Sequence, residues 1–169
     1  MNGNNMIIGN GTIASVLKDR DGFIFFASGV SNSKETREEE FRREESLLMQ
    51  QDKTKHLVYF STLSVFYAKN RYAEHKRMME KTIMAYFDKY TIMRLGNPVW
   101  GKNTNHLIPF FKDKIEKGEK IDVQDVYRYP LELDEFLHWM DLIPDWSCEF
   151  NITGQLMKVK DIIKKYGHN

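Results

Sequence analysis

The sequence predicts a three-layer α/β fold around a parallel sheet, and three observations support this class. Short apolar runs alternate with charged amphipathic segments in the order strand, helix, strand, helix, strand, helix, strand. The runs at 23–27 and 56–60 are almost continuously apolar, which is typical of strands buried on both faces of a parallel sheet. A chain of 169 residues is long enough for one hydrophobic core and too short for two ordinary domains.

The composition excludes several classes of protein. Lys and Arg number 25 against 24 Asp and Glu, so the net charge of +1 provides no general field for nucleic acid or an anionic membrane. Cys148 is the only cysteine, which excludes an internal disulfide and a multi-cysteine metal site and favours a reducing compartment. The chain shows neither a signal-like start nor a long apolar run, so we expect a cytoplasmic protein with no membrane partner.

The first part of the chain contains the alternating elements. We expect strands at 6–8, 23–27, 56–60 and 91–95, and helices between them at 13–17, 33–51 and 70–89. The second helix is dense in charge, with Glu38/Arg42 and Glu39/Arg43 at a spacing of four residues. Because these charges nearly cancel, the segment is interpreted as a solvated helix and not as a nucleic-acid surface.

The pattern changes beyond residue 103, where a smaller lobe is expected within the same single domain, 1–169. Its helices are predicted at 107–117, 133–142 and 157–166, and its short strands or extended segments at 120–123, 127–133 and 150–152. Ligands of parallel α/β sheets bind outside the carboxyl ends of the strands, so the residues after each strand are the first candidates for a site. These residues are Gly9–Gly11, Ala27–Ser28, Ser61–Thr62 and Asn97–Pro98.

A glycine turn follows the first strand. Residues 9–14 read G-x-G-x-x-A, a pattern in which the glycines let backbone N–H groups approach a diphosphate at the start of a helix. A purely structural tight turn with the same letters fits equally well, so both interpretations stay open.

Tyr72 and Lys76 are four residues apart on one predicted helix and therefore share a face. An ammonium group near a phenol favours the phenolate, which makes tyrosine usable as an acid or base near neutral pH. A pair at this spacing is also expected by chance, and the alternative is a core tyrosine beside a solvated lysine.

Four further stretches along the chain carry short motifs. Residues 60–66 contain S-T-x-x-V-F, 97–99 read N-P-V, 128–135 read R-Y-P-L-E-L-D-E, and 150–154 read F-N-I-T-G. Together with the glycine turn and the Tyr/Lys pair, this order resembles the extended short-chain dehydrogenase/reductase superfamily, in its NAD-dependent epimerase/dehydratase group. The first stretch is similar to the dTDP-4-dehydrorhamnose reductase branch and the second to sugar-nucleotide 4-epimerases.

The resemblance implies a trimmed Rossmann-type three-layer fold, with 1–103 mainly the cofactor-binding core and 104–169 mainly a small C-terminal substrate lobe. The implied function is that of an NAD(P)-dependent oxidoreductase or epimerase acting on a nucleotide-activated sugar by hydride transfer. In the implied catalytic triad, Thr62 holds the substrate carbonyl or hydroxyl, Tyr72 transfers the proton, and Lys76 lowers the tyrosine pKa and binds the nicotinamide ribose.

The resemblance also implies a set of binding residues. Those for NAD or NADP are Gly9, Asn10, Gly11, Thr12, Ile13, Ala27, Ser28, Lys76, Asn97, Pro98 and Val99. Those for the nucleotide-sugar substrate are Ser64, Asn97 and Arg128, the last as a clamp on the diphosphate. The alternative for Arg128 is a surface ion pair with Asp125 or Asp134.

The chain departs from the family by its short spacing between the glycine turn and Ser61, which lacks about two βα units. The missing strands build the adenosine pocket and carry the acid that binds the ribose hydroxyls. Glu35 is the nearest acid in sequence, but it belongs to the charged helix and is a poor candidate for this role. Because the ribose-binding acid and the adenosine pocket are both missing, cofactor binding is expected to be weak.

Two further expectations concern the protein as a whole. The first is a homodimer through helices 33–51 and 70–89, as in the family. The second is an alternative function, in which the chain is a non-catalytic binding or regulatory protein on a degenerate scaffold.

Overall fold

The computed structural model describes residues 6–167, whose elements alternate as the sequence predicts. In chain order they are β1 (Ile7–Ile8), a 3-10 turn (Ala14–Val16), β2 (Phe23–Phe26), α1 (Glu38–Met49), β3 (His56–Thr62), α2 (Ser64–Tyr67), α3 (Arg71–Tyr86), β4 (Lys89–Leu95), β5 (Asn97–Pro98), α4 (Leu107–Glu116), β6 (Tyr127–Arg128), β7 (Pro130–Leu131), α5 (Leu133–Asp141), β8 (Cys148–Ile152), β9 (Met157–Lys158) and α6 (Val159–Tyr166).

The elements form two compact units. Of the described residues, the first unit contains those up to Arg94 together with Ile143–Asn151, and the second contains Leu95–Leu142 and those from Ile152 to Gly167. The expected division after residue 103 placed all later residues in one lobe. The structure instead returns β8 to the first unit, because this strand pairs with β4.

A five-stranded parallel sheet organises the first unit and confirms the predicted Rossmann-type α/β class. Its strand order is β1-β2-β3-β4-β8. Ile7 is paired with Phe25 and Phe25 with Val58 in parallel register. In a complete Rossmann sheet two further strands lie beyond the first. Within the described residues β1 is the terminal strand, which agrees with the loss of about two βα units.

Helices α1 and α3 supply apolar side chains to the core of this sheet. The buried cluster consists of Ile24, Phe26, Leu48, Leu57, Tyr59, Met79, Ile83, Phe87 and Ile92. The side chain of Asn70 caps α3 by accepting from the N–H of Ala73 at 2.9 Å, which fixes where this helix begins. In the part of the chain that the structure describes, no helix has the length and apolar character needed to cross a membrane.

Within the residues that the structure describes, the second unit is built from short strands and three helices. β5 pairs with β7 in parallel and β6 pairs with β9 in antiparallel register. Buried side chains from its helices and strands include Ile108, Phe111, Leu131, Phe136, Val159 and Ile162. The Trp100 ring lies 5.4 Å from that of Phe136.

Four predicted elements differ in the structure. The helix expected at 13–17 is one 3-10 turn, since so few residues cannot nucleate an α-helix. Helix 33–51 begins only at Glu38, because the Glu35 carboxylate holds the N–H groups of residues 36 and 37 in a turn. No strand forms at 120–123, which is largely exposed. The expected helix 157–166 starts with β9, whose two residues pair with β6.

Candidate functional site

The three residues of the predicted triad lie together in the first unit. Thr62 is the last residue of β3, and Tyr72 and Lys76 lie in the first two turns of α3. Thr62 is near enough to the Tyr72 phenol to influence its pKa. The Lys76 Nζ atom is 5.8 Å from the centre of the Tyr72 ring. The carboxyl end of a central strand therefore meets the start of a helix at these three side chains.

Ser64 lies beside Thr62 at the start of α2. Its backbone N–H donates to Thr62 Oγ1 at 3.2 Å, and the two hydroxyl oxygens are 3.1 Å apart. These bonds hold the Thr62 hydroxyl in the turn between β3 and α2. Thr62, Ser64 and Tyr72 thus form a short row of hydroxyl groups.

Lys76 is buried, with 2% of its side chain exposed, and its charge is compensated. Nζ donates to Glu44 Oε1 at 2.9 Å and to the Tyr59 oxygen at 3.0 Å. Tyr59 donates its own O–H to the same Glu44 oxygen at 2.5 Å. Lysine, tyrosine and carboxylate therefore form a closed triangle of hydrogen bonds beneath Tyr72.

Glu44 is fully buried in α1 and accepts from four groups. Besides Lys76 and Tyr59, the Val30 N–H donates at 2.7 Å and His75 Nε2 lies at 3.0 Å. Burial alone raises the pKa of a carboxyl group. The Lys76 charge and the hydrogen bonds from His75, Tyr59 and Val30 outweigh burial and hold the pKa of Glu44 far below its ordinary value.

The pKa of Tyr72 moves in the direction opposite to the sequence-based expectation. Burial raises it first, the nearby Glu44 carboxylate raises it further, and the neighbouring Thr62 hydroxyl opposes both only in part. The resemblance implies a lowering by Lys76, whereas burial and the Glu44 carboxylate raise the pKa of Tyr72, and Lys76 is itself paired with Glu44. Tyr72 is therefore a protonated phenol at neutral pH.

The glycine turn lies against the end of β2. Gly9 has a φ of 123°, and a Cβ there would lie 2.5 Å from the carbonyl oxygen of Ala27, so only glycine fits. A Cβ on Gly11 would meet nothing within 4 Å, which leaves space for a ligand above the turn. The turn and the Ala27–Ser28 segment fit one end of a dinucleotide, but the 3-10 turn lacks the dipole of a full helix.

Two charged side chains lie near this region. Arg43 donates to the Ser28 carbonyl at 3.1 Å and to the Ser28 hydroxyl at 3.3 Å. Glu35 is bound by Arg37 at 2.8 Å, and this side-chain hydrogen bond lowers the pKa of Glu35 to about 2. Its carboxylate is already engaged, in keeping with its poor fit as a ribose ligand.

The remaining predicted site residues lie in the second unit. The N–H groups of Asn97 and Val99 donate to the carbonyls of residues 129 and 131 at 2.6 and 3.0 Å. Arg128 donates to the Tyr127 carbonyl at 2.8 Å. Asp125, one alternative partner for Arg128, is paired with Lys158 at 2.9 Å. The N-P-V stretch therefore runs alongside the segment that follows Arg128.

Glu44 and Tyr59 are site residues that the sequence reasoning missed. A signal for Glu44 was available, because Phe41, Glu44 and Leu48 recur at the spacing of one helix face and all three are buried. A carboxylate on the apolar face of a helix requires a buried partner. The search for that partner would have started from the basic residues of neighbouring helices.

The family described as polysaccharide biosynthesis protein matches residues 46–140 of this chain. Among solved structures, the WbmG enzyme of Bordetella bronchiseptica, in complex with NAD and UDP, is 22% identical and has a TM-score of 0.54. The match covers 66% of this chain and 43% of WbmG. A comparison with curated proteins gives no significant match.

Two other solved structures are similar. The capsular polysaccharide assembling protein CapF from Staphylococcus aureus is 18% identical, over 86% of this chain and 44% of its own, with a TM-score of 0.56. RMD from Pseudomonas aeruginosa, complexed with NADPH, is 15% identical, over 73% of this chain and 53% of its own, with a TM-score of 0.55.

The present chain thus spans only about half the length of the structures it matches. These likenesses confirm the fold that the motifs predicted, and the family match extends over more than half of the sequence. The chain belongs to the polysaccharide biosynthesis protein family, within the extended short-chain dehydrogenase/reductase superfamily.

Proposed function

We propose that this protein is an NAD(P)-dependent enzyme that reduces or epimerises a nucleotide-activated sugar. The observation that carries the proposal is the grouping of Thr62, at the carboxyl end of a central parallel strand, with Tyr72 and the buried Lys76 at the start of the next helix. WbmG is described with NAD and UDP and RMD with NADPH, which supports this choice of cofactor and substrate class.

Each side chain has a role in this proposal. Thr62 binds the substrate oxygen, Tyr72 holds a proton at Oη for that oxygen, and Lys76 lies beneath both. The nicotinamide group supplies or accepts a hydride when bound. The residues proposed to hold the cofactor are Gly9, Asn10, Gly11, Thr12, Ile13, Ala27, Ser28, Lys76, Asn97, Pro98 and Val99. The residues proposed to bind the nucleotide sugar are Ser64, Asn97 and Arg128.

Cofactor affinity is expected to be weak, because the strands that form an adenosine pocket have no counterpart beside β1 in the described sheet. Loss of a ribose-binding carboxylate costs on the order of 1.5–3 kcal/mol, which raises the dissociation constant by about tenfold to a hundredfold. NAD and NADP should be poorly discriminated for the same reason.

Calorimetric titration with NADH, NADPH and a series of nucleotide sugars tests the proposal. Binding of both dinucleotides with similar, weak affinity supports it. Gly11→Leu should abolish this binding without changing the melting temperature, because the space above Gly11 is open in the folded protein. A submicromolar affinity with strong preference for one dinucleotide would contradict the inference that the adenosine pocket is missing.

A second candidate function is a non-catalytic protein that binds a nucleotide sugar. The compensation of Lys76 by Glu44 favours it, because this lysine already has a buried partner. In the same titration, nucleotide-sugar binding without measurable NADH or NADPH binding would support the second candidate and exclude the first.

A homodimer through the segments 33–51 and 70–89 is also proposed. Three methionines of α1 and α3 are partly exposed, namely Met49, Met78 and Met84. Sedimentation should give about twice the 20.1 kDa chain mass at micromolar concentration. A monomer under these conditions contradicts the proposal.

A further inference from the structure

Glu44 is a buried carboxylate to which the proposed enzymatic function assigns no role. We propose that it is a positioning residue for proton transfer: it holds and neutralises the Lys76 ammonium group and thereby keeps Tyr72 as a phenol that donates its proton. This inference rests on the proposed function, since it assigns a direction of proton transfer, from Tyr72 to the substrate, to the same site.

The hydrogen-bond directions around Lys76 follow from chemistry. Tyr59 has one O–H and donates it to Glu44 at 2.5 Å, so its oxygen accepts from Lys76. An ammonium group has three donors, of which Glu44 and Tyr59 take two. The ammonium group is therefore fixed from two sides in a closed ring of bonds.

The backbone after β2 is shaped around this pair. A Cβ on Gly29 would lie 2.7 Å from Lys76 Nζ and 2.9 Å from Glu44 Oε1. The neighbouring Val30 N–H donates to the second carboxylate oxygen at 2.7 Å. Gly29, which has no side chain, leaves room for the pair, and the Val30 N–H binds Glu44. Together they hold Glu44 and Lys76 in this arrangement.

The titratable groups around Tyr72 lie on four elements. Glu44 faces it from α1, Tyr59 from β3, Tyr67 from α2, and Lys76 from α3 itself. With the lysine compensated by Glu44, burial and the carboxylate keep the pKa of Tyr72 above its ordinary value. Without Glu44, the lysine would favour the phenolate, as nearby opposite charges do.

A protonated Tyr72 suits one direction of reaction. The substrate oxygen would take the proton from Tyr72 Oη while the substrate carbon receives a hydride from a reduced nicotinamide, so a carbonyl becomes an alcohol. Tyr72 is left as phenolate and regains a proton from water. The favoured substrate class is therefore a nucleotide-linked sugar that carries a ketone or aldehyde.

The test is a pH titration of the protein labelled with carbon-13 at tyrosine Cζ, followed by NMR without any cofactor. The Tyr72 resonance is identified by its loss in Tyr72→Phe. In Glu44→Gln it should begin to shift about one to three pH units lower than in the wild type. Glu80→Gln is the matched control, since it removes another buried carboxylate of the same unit and should leave the Tyr72 titration unchanged.

Glu44→Asp provides a second variant should Glu44→Gln fail to fold. It retains the charge but withdraws it from Lys76, so Tyr72 should again ionise at lower pH than in the wild type. An unchanged titration in the folded Glu44 variants, or an equal shift in Glu80→Gln, overturns the inference. Since no cofactor is present, this outcome is independent of whether the wild type binds NADH.

Discussion

Two buried carboxylates in the first unit each hold a cation, and they do so in different ways. Glu44 meets Lys76 within the closed triangle beneath Tyr72. Glu80, also buried, binds Arg94 at 2.7 Å and accepts from Ser61 at 2.6 Å. We refer to these as the Glu44 cluster, formed by Glu44, Lys76, Tyr59 and His75, and the Glu80 cluster, formed by Glu80, Arg94, Ser61, Glu149 and Asn151.

The Glu80 cluster joins elements across the sheet. Arg94 lies on β4 and also binds Glu149 on β8 at 2.6 Å, a residue whose side chain is 40% exposed. A planar guanidinium with several donors suits such a multiple contact, whereas a lysine is a point charge. A buried ion pair therefore does not by itself identify a reacting site. The proximity of Lys76 to Tyr72, and the effect of Glu44 on the Tyr72 pKa, distinguish the Glu44 cluster.

The largest expected effect is on turnover. Tyr72→Phe should reduce it by about a hundredfold to ten-thousandfold, because it removes the proton donor and little packing. Steady-state kinetics with a nucleotide sugar and NADH measure the loss. Tyr86→Phe, at the exposed end of the same helix, is the control and should retain full activity. Full activity in Tyr72→Phe would show that the Glu44 cluster has no role in catalysis.

The second largest expected effect is a difference in unfolding free energy between variants of the two clusters. Glu44→Ala leaves the buried Lys76 without its counter-ion and should cost about 3–5 kcal/mol in the free energy of unfolding. Glu80→Ala should cost less, because Arg94 keeps Glu149 and Asn151 as partners. Urea unfolding of both variants measures the difference. Equal losses would mean that the partly exposed Glu149 does not compensate.

The smallest effect concerns the backbone around the Glu44 cluster. Gly29→Ala should destabilise the protein by about 1–3 kcal/mol, because the new methyl group overlaps Lys76 and Glu44. Gly11→Ala is the control, since its methyl group enters open space and should change stability by well under that amount. Thermal unfolding compares the two. A neutral Gly29→Ala would show that the lysine side chain moves aside at little cost.

Much of the fold was predictable because its strands are apolar and bounded by glycine or polar turns. β2 and β3 were located to within two residues, and α3 to within three. The segment 13–17 was misassigned because periodicity in five residues cannot distinguish an α-helix from a 3-10 turn. The segment 120–123 was misassigned because local apolar residues do not reveal whether a neighbouring strand is available.

The site was predictable only in part. Thr62, Tyr72 and Lys76 follow from local spacing and motif order, since they lie on one strand and the next helix. Glu44 is separated from Lys76 by 32 positions, and their contact depends on how α1 and α3 pack on the sheet. No local pattern encodes that distance. The reversed pKa of Tyr72 was unpredictable for the same reason.

The pairing of β4 with β8 has a consequence for synthesis of the chain. Thr91 and Cys148 meet across 57 positions, and Leu95–Leu142 of the second unit lie in the intervening loop. The equilibrium cost of such a loop is small, at about 0.6 kcal/mol for each doubling of its length. At about 5–20 residues per second, however, a ribosome needs roughly 3–10 s to add these residues. During that interval the edge of β4 that will receive β8 is unpaired and Arg94 lacks Glu149, so completion of the first unit must wait until β8 has been made.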